Sequence, residues 1–272
     1  MRWLYAPLRP AIGQPAWALG RGGSAVTSTF ARFEAVERPV SRDAHRSARH
    51  LRRAVDPQNP QTVYANTIDY ADFAVVSGRA TESGVFKSTD GGITWRVAGR
   101  GLPYPGDAGL ASPRDTSALT LDPLDPDTLY AYGEGPGLFK STNGGATWRS
   151  GSLPGSSVDA LALHPERPAT LYAGTDEGIY KSTNAGASWR AVNAGLSHTN
   201  VDALAIDPQH TQTVYAGTDS GLFRSTDGGR SWRSFNDGLP SEGIDELAVD
   251  PAGGTLYVGA TIGGIFELTL AR

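Results

Sequence analysis

Ser88-Thr-Asp-Gly-Gly-Ile-Thr-Trp95 returns three times in this chain, as Ser141-Thr-Asn-Gly-Gly-Ala-Thr-Trp148, Ser182-Thr-Asn-Ala-Gly-Ala-Ser-Trp189 and Ser225-Thr-Asp-Gly-Gly-Arg-Ser-Trp232. The tryptophans fall 53, 41 and 43 residues apart. Self-similarity at this period marks a solenoid or a propeller, whose units bury their apolar faces by stacking on one another. The phrase sits in a longer unit. Its third copy reads Val158-Asp-Ala-Leu-Ala-Leu-His-Pro165, Thr170-Leu-Tyr-Ala-Gly-Thr175, Gly178-Ile-Tyr-Lys-Ser-Thr-Asn184 and Ser188-Trp-Arg-Ala-Val192. These are short runs rich in Val, Leu, Ile and Tyr bounded by Gly, Pro, Asp and Asn, a strand-and-turn pattern with no helical period.

Four strands per unit of roughly 40 residues predict an all-β chain, a β-propeller of four-stranded antiparallel blades. Five Asp-Pro-type turns (Pro57, Pro123, Pro165, Pro208, Pro251) and five tyrosine strands (Tyr64, Tyr130, Tyr172, Tyr215, Tyr257) give five blades. The fifth ends as Gly264-Ile-Phe-Glu-Leu-Thr-Leu270 with no copy of the phrase after it, so it lacks its outermost strand. That strand comes from the N-terminal segment, from a partner, or not at all. A sixth, degenerate blade within the first 53 residues is the alternative, since Trp17-Ala-Leu-Gly-Arg-Gly22 echoes Trp95-Arg-Val-Ala-Gly-Arg-Gly101. In each phrase Asp90, Asn143, Asn184 or Asp227 can hydrogen-bond its own turn, and the following glycines supply positive φ. Trp95, Trp148, Trp189 and Trp232 then offer large apolar area to an adjacent blade.

At these residues the chain resembles the Asp-box, or BNR, repeat of sialidases, sortilin-type receptors, xyloglucan hydrolases and photosystem II stability factors, over about residues 54–268. The resemblance implies a hairpin on the outer rim of a propeller, away from the ligand-binding end. Two boxes carry Asn for Asp, and the third has Ala185 where the others have Gly. Because many activities share one fold, the box identifies an architecture and no reaction.

The net charge of −4 divides unevenly. Residues 1–53 hold ten Arg and three acidic residues, a net of +7, whereas residues 54–272 carry −11. This shift sets a boundary between a basic Arg/Pro-rich segment, 1–53, and a propeller domain, 54–272. The cluster Arg38, Arg42, Arg46, Arg49, Arg52 and Arg53 reads as an arm for nucleic acid or acidic lipid, as a solvated tail, or as a segment docking on the acidic propeller. The acidic propeller itself argues against nucleic acid as the principal ligand. No run approaches about 18 apolar residues, so no transmembrane segment is expected. Pro7, Pro10 and Pro15 interrupt any signal-peptide core. An extracytoplasmic place is implied only by the resemblance. The chain has no cysteine. His45, His50, His164, His198 and His210 lack the paired spacing of a zinc site, so neither metal nor cofactor is implied.

Subtracting what every repeat shares leaves the first blade. Tyr64 to Phe86 spans 22 residues where later blades take eight or nine, and Trp95 to Asp122 spans 27 against 16 to 18. Both insertions are expected on the face opposite the boxes, and loops on a rigid scaffold are where binding residues concentrate. They carry the candidate ligand-binding residues Asp69, Tyr70, Asp72 and Arg79, and Arg100, Tyr104, Asp107, Arg114 and Asp115. No catalytic residue is assigned. The favoured reading is a non-catalytic binding or scaffold propeller that recognises a protein, peptide or glycan through these loops. The alternative is a glycoside hydrolase of sialidase or xyloglucanase kind. The N-terminal Arg-Ile/Val-Pro motif of sialidases is absent, and xyloglucan hydrolases of this type have two large propellers where this length suits one. A glycosidase needs two carboxylates about 5–10 Å apart, which Asp69, Asp72, Asp107 and Asp115 could supply.

Overall fold

The computed structural model describes residues 52–67, 84–102, 118–133, 137–153, 157–197, 200–239, 243–262 and 264–270. Among these residues nineteen strands form five antiparallel sheets. The first blade is β1 (Arg52–Val55), β2 (Val63–Thr67), β3 (Gly84–Ser88) and β4 (Arg96–Val97); the second is β5 (Ala118–Leu121), β6 (Leu129–Gly133), β7 (Gly137–Ser141) and β8 (Arg149–Ser150). The third is β9 (Val158–Leu163), β10 (Leu171–Thr175), β11 (Gly178–Ser182) and β12 (Arg190–Ala191); the fourth is β13 (Val201–Ile206), β14 (Val214–Thr218), β15 (Gly221–Ser225) and β16 (Arg233–Ser234). The fifth has three strands, β17 (Ile244–Val249), β18 (Thr255–Ala260) and β19 (Gly264–Thr269), as the missing box implied. Strands follow sequence order within every blade, and first strands pack side by side between the first and second, the third and fourth, and the fourth and fifth blades.

The box works as its residue types predict. Ser88 Oγ accepts from Gly92 N (2.8 Å), and Asp90 Oδ1 accepts from Ile93 N (3.0 Å) and Thr94 N (2.8 Å). The Thr94 hydroxyl foremost, which donates to Oδ2, then the Thr94 N–H and the Ser88 hydroxyl stabilise the ionised carboxylate and pull Asp90 down to about 2. Asn143 Oδ1 accepts from Thr147 N in the same way (2.9 Å), which is why Asn substitutes freely. Ala185 takes φ 56° in place of glycine. Each box is tied to the first turn of its own blade, as by Gly91 N to Gln61 O (2.9 Å) and Gly228 N to Gln212 O (2.8 Å), so both turns lie on one face. In those first turns Asp56, Asp122 and Asp207 accept two backbone N–H groups each. His164 does the same through Nδ1 (3.3 and 3.2 Å).

Blades are stitched together by the repeated lysine and tyrosine. Lys181 Nζ lies 4.8 Å from the centre of the Tyr172 ring and donates to Gly228 O in the next blade's box (2.8 Å), as Tyr172 Oη does (3.0 Å). Lys87 and Lys140 repeat the arrangement over Tyr64 and Tyr130. The arginines after the box tryptophans are exposed.

The four tryptophans divide into two kinds. Trp148 and Trp232 are buried (4% and 3% exposed) and insert into the preceding blade: Trp148 Nε1 donates to Ala98 O (2.6 Å) and Trp232 Nε1 to Val192 O (2.7 Å). Trp95 and Trp189 are half-buried and donate to Gly92 and Gly186 of their own turns. The preceding blade explains the difference. Its fourth strand leads into a connection in which Trp95 to Leu102, Trp189 to Leu196 and Trp232 to Leu239 each span seven residues, but Trp148 to Leu153 only five. The seven-residue form carries Gly101 or Gly195, at φ 95° and 91°. A Cβ there would lie 2.5 Å from Trp148 O or 2.2 Å from Trp232 O, so only glycine admits the incoming tryptophan. The five-residue form has no such seat for Trp189. An open groove of about 560 Å³ remains between the second and third boxes, lined in part by Arg149, Ser152 and Asn184.

Candidate functional site

In an antiparallel blade the second-to-third and blade-to-blade connections emerge opposite the boxes. On that face the first strands of the third, fourth and fifth blades share an irregularity. Thr175 pairs with Val158 and Gly174 with Ala160; Val201 pairs with Thr218 and Ala203 with Gly217; Ile244 pairs with Ala260 and Glu246 with Gly259. The residue stepped over is Asp159, Asp202 or Asp245. Each is therefore the extra residue of a β-bulge, a device that re-aims a side chain and concentrates beside active sites. Glycine at 174 and 217 makes room, since a Cβ at either would lie 2.7 Å from the next blade's Val201 or Ile244 carbonyl oxygen.

The three aspartates sit on adjacent inner strands and are half-buried. Burial foremost, then the negative charges of Asp159, Asp245 and Asp219, raise Asp202 to about 6. Its Oδ1 accepts from Asn200 Nδ2 at 3.4 Å. The flanking carboxylates are better served: Asp159 takes Ser157 Oγ at 2.9 Å and Asp245 takes Thr261 Oγ1 at 2.8 Å. One carboxyl thus keeps its proton into the mildly acidic range between two hydrogen-bonded carboxylates, and unequal environments of this kind separate an acid from a base. Among the described residues no group of His, Asp and Glu is arranged to hold a metal ion.

These residues were missed by subtracting the repeats, because Val158-Asp159, Val201-Asp202 and Ile244-Asp245 are themselves repeated. The available signal was that only three blades carry the acid; the corresponding positions of the first and second are Leu51 and Ser117. Of the loop candidates, Asp69, Tyr70, Asp72, Arg79, Tyr104, Asp107, Arg114 and Asp115 lie outside the described residues. Arg100 is exposed, and its carbonyl accepts Trp148 N (2.8 Å), a part in blade packing.

Comparison with known proteins follows this geometry. The BNR/Asp-box repeat family matches residues 86–97, the first box and its flanking strands. A xyloglucanase of Hypocrea jecorina is 32% identical over 97 residues, 35% of this chain and 11% of its own. A dispase autolysis-inducing protein of Streptomyces mobaraensis is 33% identical over 132 residues, 46% of this chain and 33% of its own. The crystal structure of an ancestral GH74 enzyme superposes with a TM-score of 0.58 at 21% identity, covering 77% of this chain and 27% of that one, and it supports the fold. The chain spans a third or less of the length of these proteins. The likeness to a xyloglucanase corrects the favoured reading of the sequence. A non-catalytic scaffold was favoured because the sialidase motif is absent and the length suits one propeller, yet a stretch of this chain resembles a glycoside hydrolase directly.

Proposed function

We propose that this chain is a propeller of a glycoside hydrolase that acts on a neutral β-glucan of the xyloglucan type. The observation that carries the proposal is the 32% identity to a xyloglucanase, and the bulge carboxylates supply residues for the chemistry. Asp202 is the general acid that gives its proton to the departing glycosidic oxygen. Asp159 or Asp245, on an adjacent strand, is the partner carboxyl group that acts as base or nucleophile. The negative field of the face favours an uncharged glycan over a sialylated or phosphorylated one.

The test is release of reducing sugar from xyloglucan and other neutral β-glucans between pH 4 and 8. Hydrolysis should decline as pH rises through about 6, where Asp202 loses its proton. Asp202→Asn should cut the rate by at least about 100-fold, the usual contribution of general acid catalysis. A folded parent that cleaves no neutral β-glucan, or an undiminished Asp202→Asn variant, would refute the assignment.

A further inference from the structure

Three departures from the repeat coincide at the open groove between the second and third boxes. Trp189 stays on its own hairpin, so no indole fills the space that Trp148 and Trp232 take between the other successive boxes. These are also the two boxes that carry Asn for Asp, as Asn143 and Asn184. Where Asp90 and Asp227 present a second carboxylate oxygen, each Asn presents an amide nitrogen. It donates to Thr147 Oγ1 (2.8 Å) or Ser188 Oγ (2.9 Å) and keeps a further N–H. Finally, Lys140 pairs directly opposite Arg149 in the register of β7 with β8, a like-charge arrangement that costs stability unless something offsets it. Among the described residues lining the groove there is no Asp or Glu, and Arg149 is exposed and makes no ion pair. The carboxylates that act on Lys140 are engaged in the first turn, where Asp122 accepts Leu124 N and Asp125 accepts the Thr128 hydroxyl. The fourth box supplies the contrast. Its cations, Arg224 and Arg233, share a smaller groove of about 340 Å³ with Asp227, whose carboxylate the Ser231 hydroxyl and N–H hold well below the usual range.

We infer that the groove between Asn143 and Asn184 binds a glycan through the carboxylate of a uronic acid unit, on the face opposite the bulge aspartates. The Arg149 guanidinium supplies the fork that a carboxylate accepts in two parallel hydrogen bonds, and Lys140 adds a second positive charge. The two amides and the hydroxyls of Thr142 and Ser152 line the remainder with partners for ring hydroxyls. The walls are fixed before a ligand arrives, since Lys140 Nζ donates to Ala185 O (3.1 Å) and Ser152 Oγ to Ala187 O (2.9 Å) across the groove. Such preorganisation lowers the ordering cost of binding. The groove's volume of about 560 Å³ falls within the usual span of small-molecule sites, about 300–1,000 Å³. Residues 54–272 carry −11, so a polyanion such as nucleic acid meets repulsion outside the groove. An isolated uronate on an otherwise neutral chain places its single charge where the two cations stand.

Titration calorimetry of the full chain at low salt tests the site without reference to hydrolysis. The probes are a xylo-oligosaccharide carrying one glucuronic acid and the same oligosaccharide without it. The acid-bearing probe should bind at least about tenfold more tightly, and Arg149→Ala should remove most of that advantage. Asn143→Asp with Asn184→Asp installs the residue that the first and fourth boxes use, so the hairpins are kept, and it should abolish the preference. Arg233→Ala, in the groove that holds Asp227, should leave the preference intact. So should Asp202→Asn, which separates this site from the acid face. Equal affinity for the two probes, an undiminished Arg149→Ala variant, a preference lost in Asp202→Asn, or displacement of the acid-bearing probe by equimolar inorganic phosphate would overturn the inference.

Discussion

Trp232→Ala and Trp189→Ala remove the same side chain from the same phrase, and the structure assigns them different costs. A buried tryptophan withdraws about 200 Å² from water, worth roughly 5 kcal/mol at about 25 cal/mol per Å². The indole bond to Val192 O adds about 1 kcal/mol. Residual burial in the unfolded chain trims this sum, so Trp232→Ala should cost about 4 kcal/mol, within the range for large-to-small core changes. Trp189 is half-buried and bonds only its own turn, so its loss should cost about 2 kcal/mol. Urea unfolding followed by far-ultraviolet circular dichroism measures both. Trp232→Phe should recover most of the packing but not the hydrogen bond. Equal costs for the two alanine variants, or a larger cost at Trp189, would refute the division into inserted and rim tryptophans.

Two further predictions concern pH. His164 replaces the Asp of the first turn; burial foremost, and the Arg167 guanidinium 2.8 Å from Nε2, lower its pKa. The folded state therefore resists protonation, and the stability His164 contributes is complete above the unfolded value of about 6.5 and declines as pH falls below it. His164→Asp should flatten melting temperature between pH 7.5 and 5; an unchanged slope would contradict the role. Asp202 has the opposite sign: raised to about 6, it costs stability as pH climbs from about 4 through 6. A two-unit shift corresponds to about 3 kcal/mol, and partial exposure reduces this to about 1 kcal/mol. Asp202→Asn should accordingly be about 1 kcal/mol more stable than the parent at pH 7.5 and equal to it near pH 4, as denaturant titration at the two pH values would show.

How much of this was legible follows from the range of the interactions. The Asp-box hairpins, the Asp-Pro-type turns and the three-stranded last blade were readable, because each depends on residues within about ten positions of one another. His164 was legible as a replacement, but its lone-pair role at Nδ1 emerged only with the turn closed around it. The bulge aspartates were visible as letters and hidden as a site, since repetition looks the same whether it serves architecture or chemistry. The first-blade insertions drew attention by length alone, while the acid face belongs to the more regular blades three to five.

By itself the sequence determined the five blades of the described residues, their strand order and the chemistry of the Asp-box turns, all products of local backbone preference and period. Tertiary structure alone decided which tryptophans insert, because that depends on whether the preceding blade offers a glycine seat. It alone raised the pKa of Asp202, because burial withdraws that carboxyl from water, and because Asp159 and Asp245, each 43 residues away in the chain, bring their charges near it only once these blades set their inner strands side by side.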